Sequence, residues 1–156
     1  MRHVLRTLRK SEDGQALVEL ALVMPILLLV LIGIVELGHA VNTWNNDTNI
    51  ASITARYAVV GSLPSSGPCS GKSSFAAFAV CDAEEVAKLP KGKTTACVSI
   101  PKAEIGAPVE VKVYTEYKWL SYLKFKVTTA SLTGAATMRL EQVPPAGLGY
   151  QTGKCA

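Results

Sequence analysis

From Leu20 to Val35 the chain has no charged residue, and the run is built largely from Leu, Ile and Val. Taken as a helix from Leu17 to Gly38, the segment measures about 33 Å at 1.5 Å rise per residue. The hydrocarbon core of a bilayer is about 30 Å thick. A chain of 156 residues has room for one modest domain besides such a segment, and little capacity to bury it. A transmembrane helix over 15–38 is therefore expected in place of a core helix. Arg2, Arg6, Arg9 and Lys10 crowd its N-terminal flank, against Glu12 and Asp13. That charge bias puts the flank in the cytoplasm and everything after Gly38 outside.

The break between charge and apolar sequence falls at Gly14, before the apolar run. A secretory signal peptide is cut after its apolar stretch, at a small-residue site. A cut at Gly14 would instead remove a basic leader, residues 1–14, and leave the apolar segment on the mature protein. Gly38-His39-Ala40 offers the other possibility, a cut after Ala40 that releases a secreted domain.

The net charge is only +4, and after the leader Lys and Arg are scattered singly, without the basic stripe that nucleic-acid binding requires. No nucleic-acid partner is expected. The two histidines, His3 and His39, have no acidic or nucleophilic neighbour in sequence. No phosphate loop, H-E-x-x-H or G-x-S-x-G is present. Asp82, Glu84 and Glu85 read as a solvated acidic cluster at the start of a helical turn. The expectation is a protein that is not an enzyme, with no cofactor, no metal and no catalytic residue.

Cys69, Cys81, Cys97 and Cys155 all lie beyond the span, on the side expected to face an oxidising compartment. An even number there reads as disulfides, and no C-x-x-C spacing points to zinc. Four cysteines allow three pairings. Cys81 with Cys97 and Cys69 with Cys155 is the expectation, the second bond tying down a loose tail.

Over 39–61 the helix is expected to continue. Ile50, Ile53, Tyr57 and Val60 form an apolar stripe with Ala51, Ala55 and Ala58 beside it. Asn42, Asn45, Asn46, Asp47, Asn49 and Arg56 fall on a polar face. Asparagine is a poor helix former, so Asn45-Asn46-Asp47 marks a point for a kink or break. Gly61 then Pro64 end the helix. After a Gly/Pro/Ser-rich loop, Phe75 to about Leu89 predicts a second helix with Phe75, Phe78, Ala79, Val86 and Leu89 apolar. Thr94 to Ile100 reads as a strand. Val109 to Tyr117 is the clearest strand, with Val109, Val111, Val113, Thr115 and Tyr117 on one face. Val127 to Glu141 gives another around Gly134. Trp44 is expected to pack inside, and Tyr117-Lys118-Trp119-Leu120 to close the sheet; the alternative is an adhesive surface with Tyr122. The sum is an α+β fold: a long N-terminal transmembrane and amphipathic helix, then an extracytoplasmic domain over 62–143 with a second helix and a three- to four-stranded antiparallel sheet. Residues 144–156 form a Pro/Gly tail.

Glu19 is the one charge near the start of the span, and a carboxylate in lipid costs up to about 2.5–3.5 kcal/mol at the bilayer centre. After a cut at Gly14 the α-amino group of Gln15 would sit four residues away, about one helical turn, on the same face. In a filament Glu19 could instead neutralise the free amine of a neighbouring subunit. A carboxylate snorkelling to the headgroups is the plain alternative. Pro25 deletes one backbone hydrogen bond and can kink the helix, which transmembrane helices tolerate.

Together, Arg6 to Lys10, Gly14-Gln15-Ala16-Leu17-Val18-Glu19, Pro25, and Gly33-Ile34-Val35-Glu36-Leu37-Gly38 resemble the TadE-like family. These are minor pilins, or pseudopilins, of the tight-adherence branch of type IV pilus systems. Ala55-Arg56-Tyr57-Ala58 is similar to that family's segment closing the helix, so the likeness runs from about Leu5 to Gly61. Val109 to Glu116 and Ala136 to Glu141 are similar to its terminal strands. The resemblance implies cleavage between Gly14 and Gln15 by an inner-membrane prepilin peptidase. It also implies assembly with other pilin subunits on a pilus platform, and Glu19 as the fifth mature residue. Leu20 stands where the major pilins of this branch often carry an aromatic. The implied function is a minor pilin acting in assembly of a tight-adherence pilus and in surface attachment. The competing reading is a single-pass envelope protein whose outer domain binds a ligand.

Overall fold

The computed structural model describes the backbone of residues 2–119, 129–143, 145 and 147–155, with side chains from Gly14 onward. The leader's basic side chains, Leu120, Tyr122 and the expected strand start at Val127 lie outside the described residues. The chain divides into two compact units, Met1–Gly38 and His39–Ala156.

The first unit is helical throughout its described residues. It belongs to helix α1, Arg2–Val60, which contains Pro25. From Gly14 to Val35 every residue is exposed. That surface is mostly Leu, Ile, Val and Met, including Leu17, Leu22 and Leu29. Towards the unit's end Glu36 is buried.

In the second unit, the rest of α1 packs with three further elements. These are α2 (Phe75–Cys81), a π-helical turn (Asp82–Val86), and a sheet of β1 (Thr94–Ser99), β2 (Pro108–Lys118) and β3 (Thr129–Arg139). The sheet is antiparallel with order β1-β2-β3. Its core-facing side is set by alternation. Val109, Val111, Val113 and Thr115 are buried, in register with Val98 of β1 and with Gly134 and Ala136 of β3. Onto this face α1 lays Asp47, Ile50, Ala51, Thr54, Ala55, Ala58 and Val59, all buried. The spacing is that of one helical face. The expected stripe is thus rotated: the alanines form its centre, Ile53 and Tyr57 are half-buried, and Val60 is exposed. Small side chains at the centre let the helix backbone approach the sheet closely.

The Asn45-Asn46-Asp47 segment does not break α1. Packing against the sheet outweighs the few tenths of a kcal/mol per residue that asparagine costs a helix. The hydroxyls of Thr43, Thr48 and Ser52 also stay inside the helix's own bonding, each donating to the carbonyl four residues earlier at 2.9–3.0 Å. The helix ends as its Gly predicts. Gly61 takes φ 68°, and the amides of Gly61 and Ser62 donate to the carbonyls of Ala58 and Tyr57, each at 3.2 Å. This is the Schellman arrangement.

The second helix starts at a Ser74 cap, whose side chain accepts from the Ala77 amide at 3.1 Å. Phe75, Phe78 and Ala79 are buried, and Phe78 meets Tyr57 edge-on with ring centroids 5.2 Å apart. From Asp82 the winding widens to a π turn, which shifts the face that points inward. Ala83 and Asp82 are turned in, and Val86, expected to be apolar core, is 56 % exposed. The expectation of a solvated acidic cluster therefore fails at Asp82. It holds for the other two: Glu84 accepts from the Gly92 amide at 2.7 Å and Glu85 pairs with Lys91 at 2.8 Å.

Both disulfides form, but not in the expected pairing. They are Cys69–Cys81 and Cys97–Cys155. Cys81 ends α2 beside the 62–74 loop and pairs into that loop. Cys97 stands on the sheet face opposite α1, where the tail runs. That tail is held by more than its cysteine. Gln151 bridges to β1 in parallel, donating from its amide to the Val98 carbonyl and accepting from the Ile100 amide, both at 2.8 Å. Lys112 donates to the Cys155 carbonyl at 3.0 Å.

Candidate functional site

The N-terminal unit carries the processing and helix-assembly residues singled out in the sequence. Gly14, Gln15, Glu19 and Pro25 all lie on α1 and are exposed. Gly14 has open space around the position a Cβ would take. The helix spacing puts Gln15 and Glu19 on one face, as i and i+4. At Pro25 the helix has no amide to donate to the carbonyl of Ala21. A helix with mean hydropathy 2.8 over its most apolar stretch, and none of that stretch buried, is long and apolar enough to cross a membrane. An apolar surface this long and continuous needs lipid or other helices around it.

The second unit holds a buried polar group that the sequence reading placed in solvent. Asp47, assigned to the polar face, is fully buried. Its Oδ1 accepts from the Thr115 hydroxyl at 2.8 Å, and Thr115 in turn lies 3.1 Å from the Thr94 hydroxyl. Since Thr115 has one proton and gives it to Asp47, Thr94 is the donor to Thr115. The network ties α1 to β2 and β2 to β1. Asp47 Oδ2 and Thr54 Oγ1 find no hydrogen-bond partner among the described residues. Burial raises the Asp47 carboxyl from 3.8 to about 6, and the Thr115 hydrogen bond only partly offsets it. Burial also pushes Asp82 upward. The signal was available in the sequence: Asp47 and Thr54 stand seven residues apart, on the face that carries Ile50 and Ala51.

A pH dependence follows from Asp47. Its folded-state pKa is raised, so between about pH 4 and 6 the native state binds a proton that the unfolded chain has released. Stability from this group is fully present below pH 4 and is lost as pH rises to about 6. The shift of about two units corresponds to roughly 3 kcal/mol. Asp47→Asn should remove that slope while keeping an acceptor for Thr115. Urea midpoints should show the variant gaining about 2 kcal/mol on the wild type at pH 7.5 relative to pH 4. A difference between the two proteins that stays constant across that range would contradict the assignment.

Close approach fixes the helix on the sheet. A Cβ built on Gly134 would fall 2.2 Å from the Asp47 carbonyl carbon and 2.3 Å from the Thr48 nitrogen. Glycine in a strand interior often marks such a contact. Trp44, one turn earlier on α1, is 49 % exposed and not the packing residue expected. Tyr117 and Trp119 do pack edge-on at 5.3 Å. Among the described residues no group of His, Cys, Asp and Glu is placed to hold a metal ion. Open grooves dent this unit among the described residues. One of about 550 Å³ lies between α2 and β1 and is lined by Lys72, Glu84, Thr95 and Ala96, among others; a second lies beside Ile105. Neither gathers nucleophile and base.

No curated protein and no solved structure matches the chain. The family model described as TadE-like protein matches residues 14–56, from the Gly14–Gln15 junction through Glu19, Pro25 and Asp47. Over that N-terminal segment the chain is similar to the TadE-like proteins.

Proposed function

We propose that this protein is a minor pilin of a tight-adherence pilus, anchored in the inner membrane by α1 and processed by a prepilin peptidase between Gly14 and Gln15. The observation that carries the reading is the start of the apolar helix. Gly14-Gln15 opens a run exposed along its whole length, and Glu19 stands one turn into it. A soluble domain has no use for that surface; a subunit that passes from lipid into a bundle of like helices does. Gly14 is helical here, so cleavage requires a local opening. Glycine makes that opening cheaper, by roughly 1 kcal/mol relative to alanine. The cut leaves an amine one turn from Glu19, and the pair offsets the cost of burying either charge among helices.

The N-terminal flank lies in the cytoplasm and the unit from His39 onward outside it, where both disulfides form. Partners are the peptidase, other pilin subunits and the assembly platform, and the role is structural, without catalysis. A cut after Ala40 is disfavoured because Ala40 is buried within α1. Glu19→Ala should insert into the membrane at wild-type level, since it removes a charge from the span, yet lose most of its incorporation into pili. Immunolabelled pilus preparations measure this. Normal incorporation of the variant would remove Glu19 from the mechanism.

A further inference from the structure

The groove between α2 and β1 takes its apolar lining from Ala76, Ala77, Val80 and Ala96, all half-buried. Alanine is short, so the groove, about 550 Å³ in volume, has room for a branched aliphatic side chain. Lys72, before α2, and Glu84, past its end, stand on the rim. Lys72 has no ion pair among the described residues, and Glu84 gives only Oε1, to the Gly92 amide. Elsewhere on the same unit, Ile105 is 74 % exposed, more even than Leu22 in the apolar span. It stands at the corner of a tight turn. The Ala107 amide donates to the Glu104 carbonyl at 3.0 Å, and Gly106 takes φ 87°. The turn is also held from outside: Gly106 donates to the Leu140 carbonyl at 2.8 Å, and Leu140 to the Ala107 carbonyl at 2.9 Å. An apolar side chain on a turn fixed in this way loses little freedom on docking. Lys102 and Glu104 flank it, and neither has an ion pair among the described residues. A lone exposed isoleucine is ordinary. One fixed between opposite charges, on a molecule that carries a groove of matching charge, is a knob with a hole.

We propose that the Ile105 turn of one copy docks in the α2–β1 groove of a second copy, with Glu104 against Lys72 and Lys102 against Glu84. Charge selects a copy of this chain as the occupant. The turn carries one charge of each sign beside its apolar tip, and the groove carries the opposite pair beside its apolar lining. A single copy cannot satisfy itself. Thr95, on the groove, and Ser99 are about 13 Å apart along β1. The Ile105 turn lies further on, past the Ser99–Glu110 pair. Knob and groove are different patches, so the contact is heterologous, and each copy that docks still offers a knob or a groove to the next. Such a contact builds a row of outer domains, where a two-fold dimer would stop at two. It uses only the unit His39–Ala156 and needs no cut at Gly14, so it stands apart from the pilin reading.

The test places p-benzoylphenylalanine at 105 of the full chain in native membranes, which keeps a bulky apolar tip, and reads photocrosslinked peptides by mass spectrometry. A mixture of isotopically light and heavy copies separates adducts between copies from adducts within one. The expected adduct joins the 105 turn of one copy to Ala76, Ala77 or Val80 of another, and gels show species beyond the dimer. Ala77→Leu, which fills the groove, should remove the adduct. Lys72→Glu should cut it by about threefold or more, and Glu104→Lys added to Lys72→Glu should restore it. Lys72 and Glu104 are exposed, so these charge variants should keep the wild-type urea midpoint. Absence of adducts, adducts on a different polypeptide, or adducts from 105 to 105 would overturn the proposal. So would failure of Glu104→Lys to restore the adduct in Lys72→Glu. Loss of the cut at Gly14 with these adducts intact would count against the pilin reading alone, and a correctly cut protein without them against this contact alone.

Discussion

Replacing Gly134 with alanine should destabilise the outer domain by about 3 kcal/mol, the upper end of the usual cost of overpacking. The added methyl would sit 2.2 Å from the Asp47 carbonyl carbon. Both atoms it meets are backbone, so no side chain can swing away. Relief requires α1 to lift from the sheet, and the lift acts on the same residues that hold the Asp47–Thr115 bond. Gly134→Ala should therefore also weaken that network, giving a lower urea midpoint and a flatter pH dependence together. Thr133→Ala is the control. It is exposed, one residue away, and should stay within about 0.5 kcal/mol of wild type. Equal midpoints for the two variants would mean that α1 does not seat on Gly134.

Loss of the Cys97–Cys155 bond should cost more than loss of Cys69–Cys81. In the chain-entropy view the stabilisation grows with the loop closed. The sequence separations are 58 and 12 residues, which correspond to about 4 and about 3 kcal/mol. The first bond also holds the tail along β1. Removing it should expose the Ile100 amide, which now donates to Gln151, so hydrogen exchange there should speed up in Cys97→Ala/Cys155→Ala and not in Cys69→Ala/Cys81→Ala. Equal protection of Ile100 in both would show that the tail holds without its cysteine.

Patterns that repeat at a local period were legible in the sequence. The apolar run, the alternation of Val109 to Thr115, the Gly61 stop and the antiparallel α+β plan all follow from spacing and residue type. What required the third dimension was the choice between faces and partners. Ile53, Tyr57 and Val60 are larger than Ala51, Ala55 and Ala58, so size pointed to the wrong stripe. The core selected the small residues because Gly134 demands a close backbone. Asp47 looked solvated because it is charged, whereas Thr115, sixty-eight residues away in sequence, makes its burial tolerable. The disulfides were misassigned because pairing depends on which face of β1 the tail crosses, and nothing local encodes that. Val86 was turned out by a π turn that carries no periodic signature. At the N-terminus, Gly14, Gln15, Glu19 and Pro25 were singled out from spacing along the chain, and the structure places all four on one helix.

The central claim is that the chain is cut after Gly14 to free Gln15 at the head of an assembly helix. Intact-mass and N-terminal peptide analysis of the protein from native membranes tests it most directly. The account predicts a mature N-terminus at Gln15, with residues 1–14 absent, and accumulation of the uncut form when Gly14 is replaced by isoleucine. An intact N-terminus at Met1 in the wild type, or one at Val41, would contradict it.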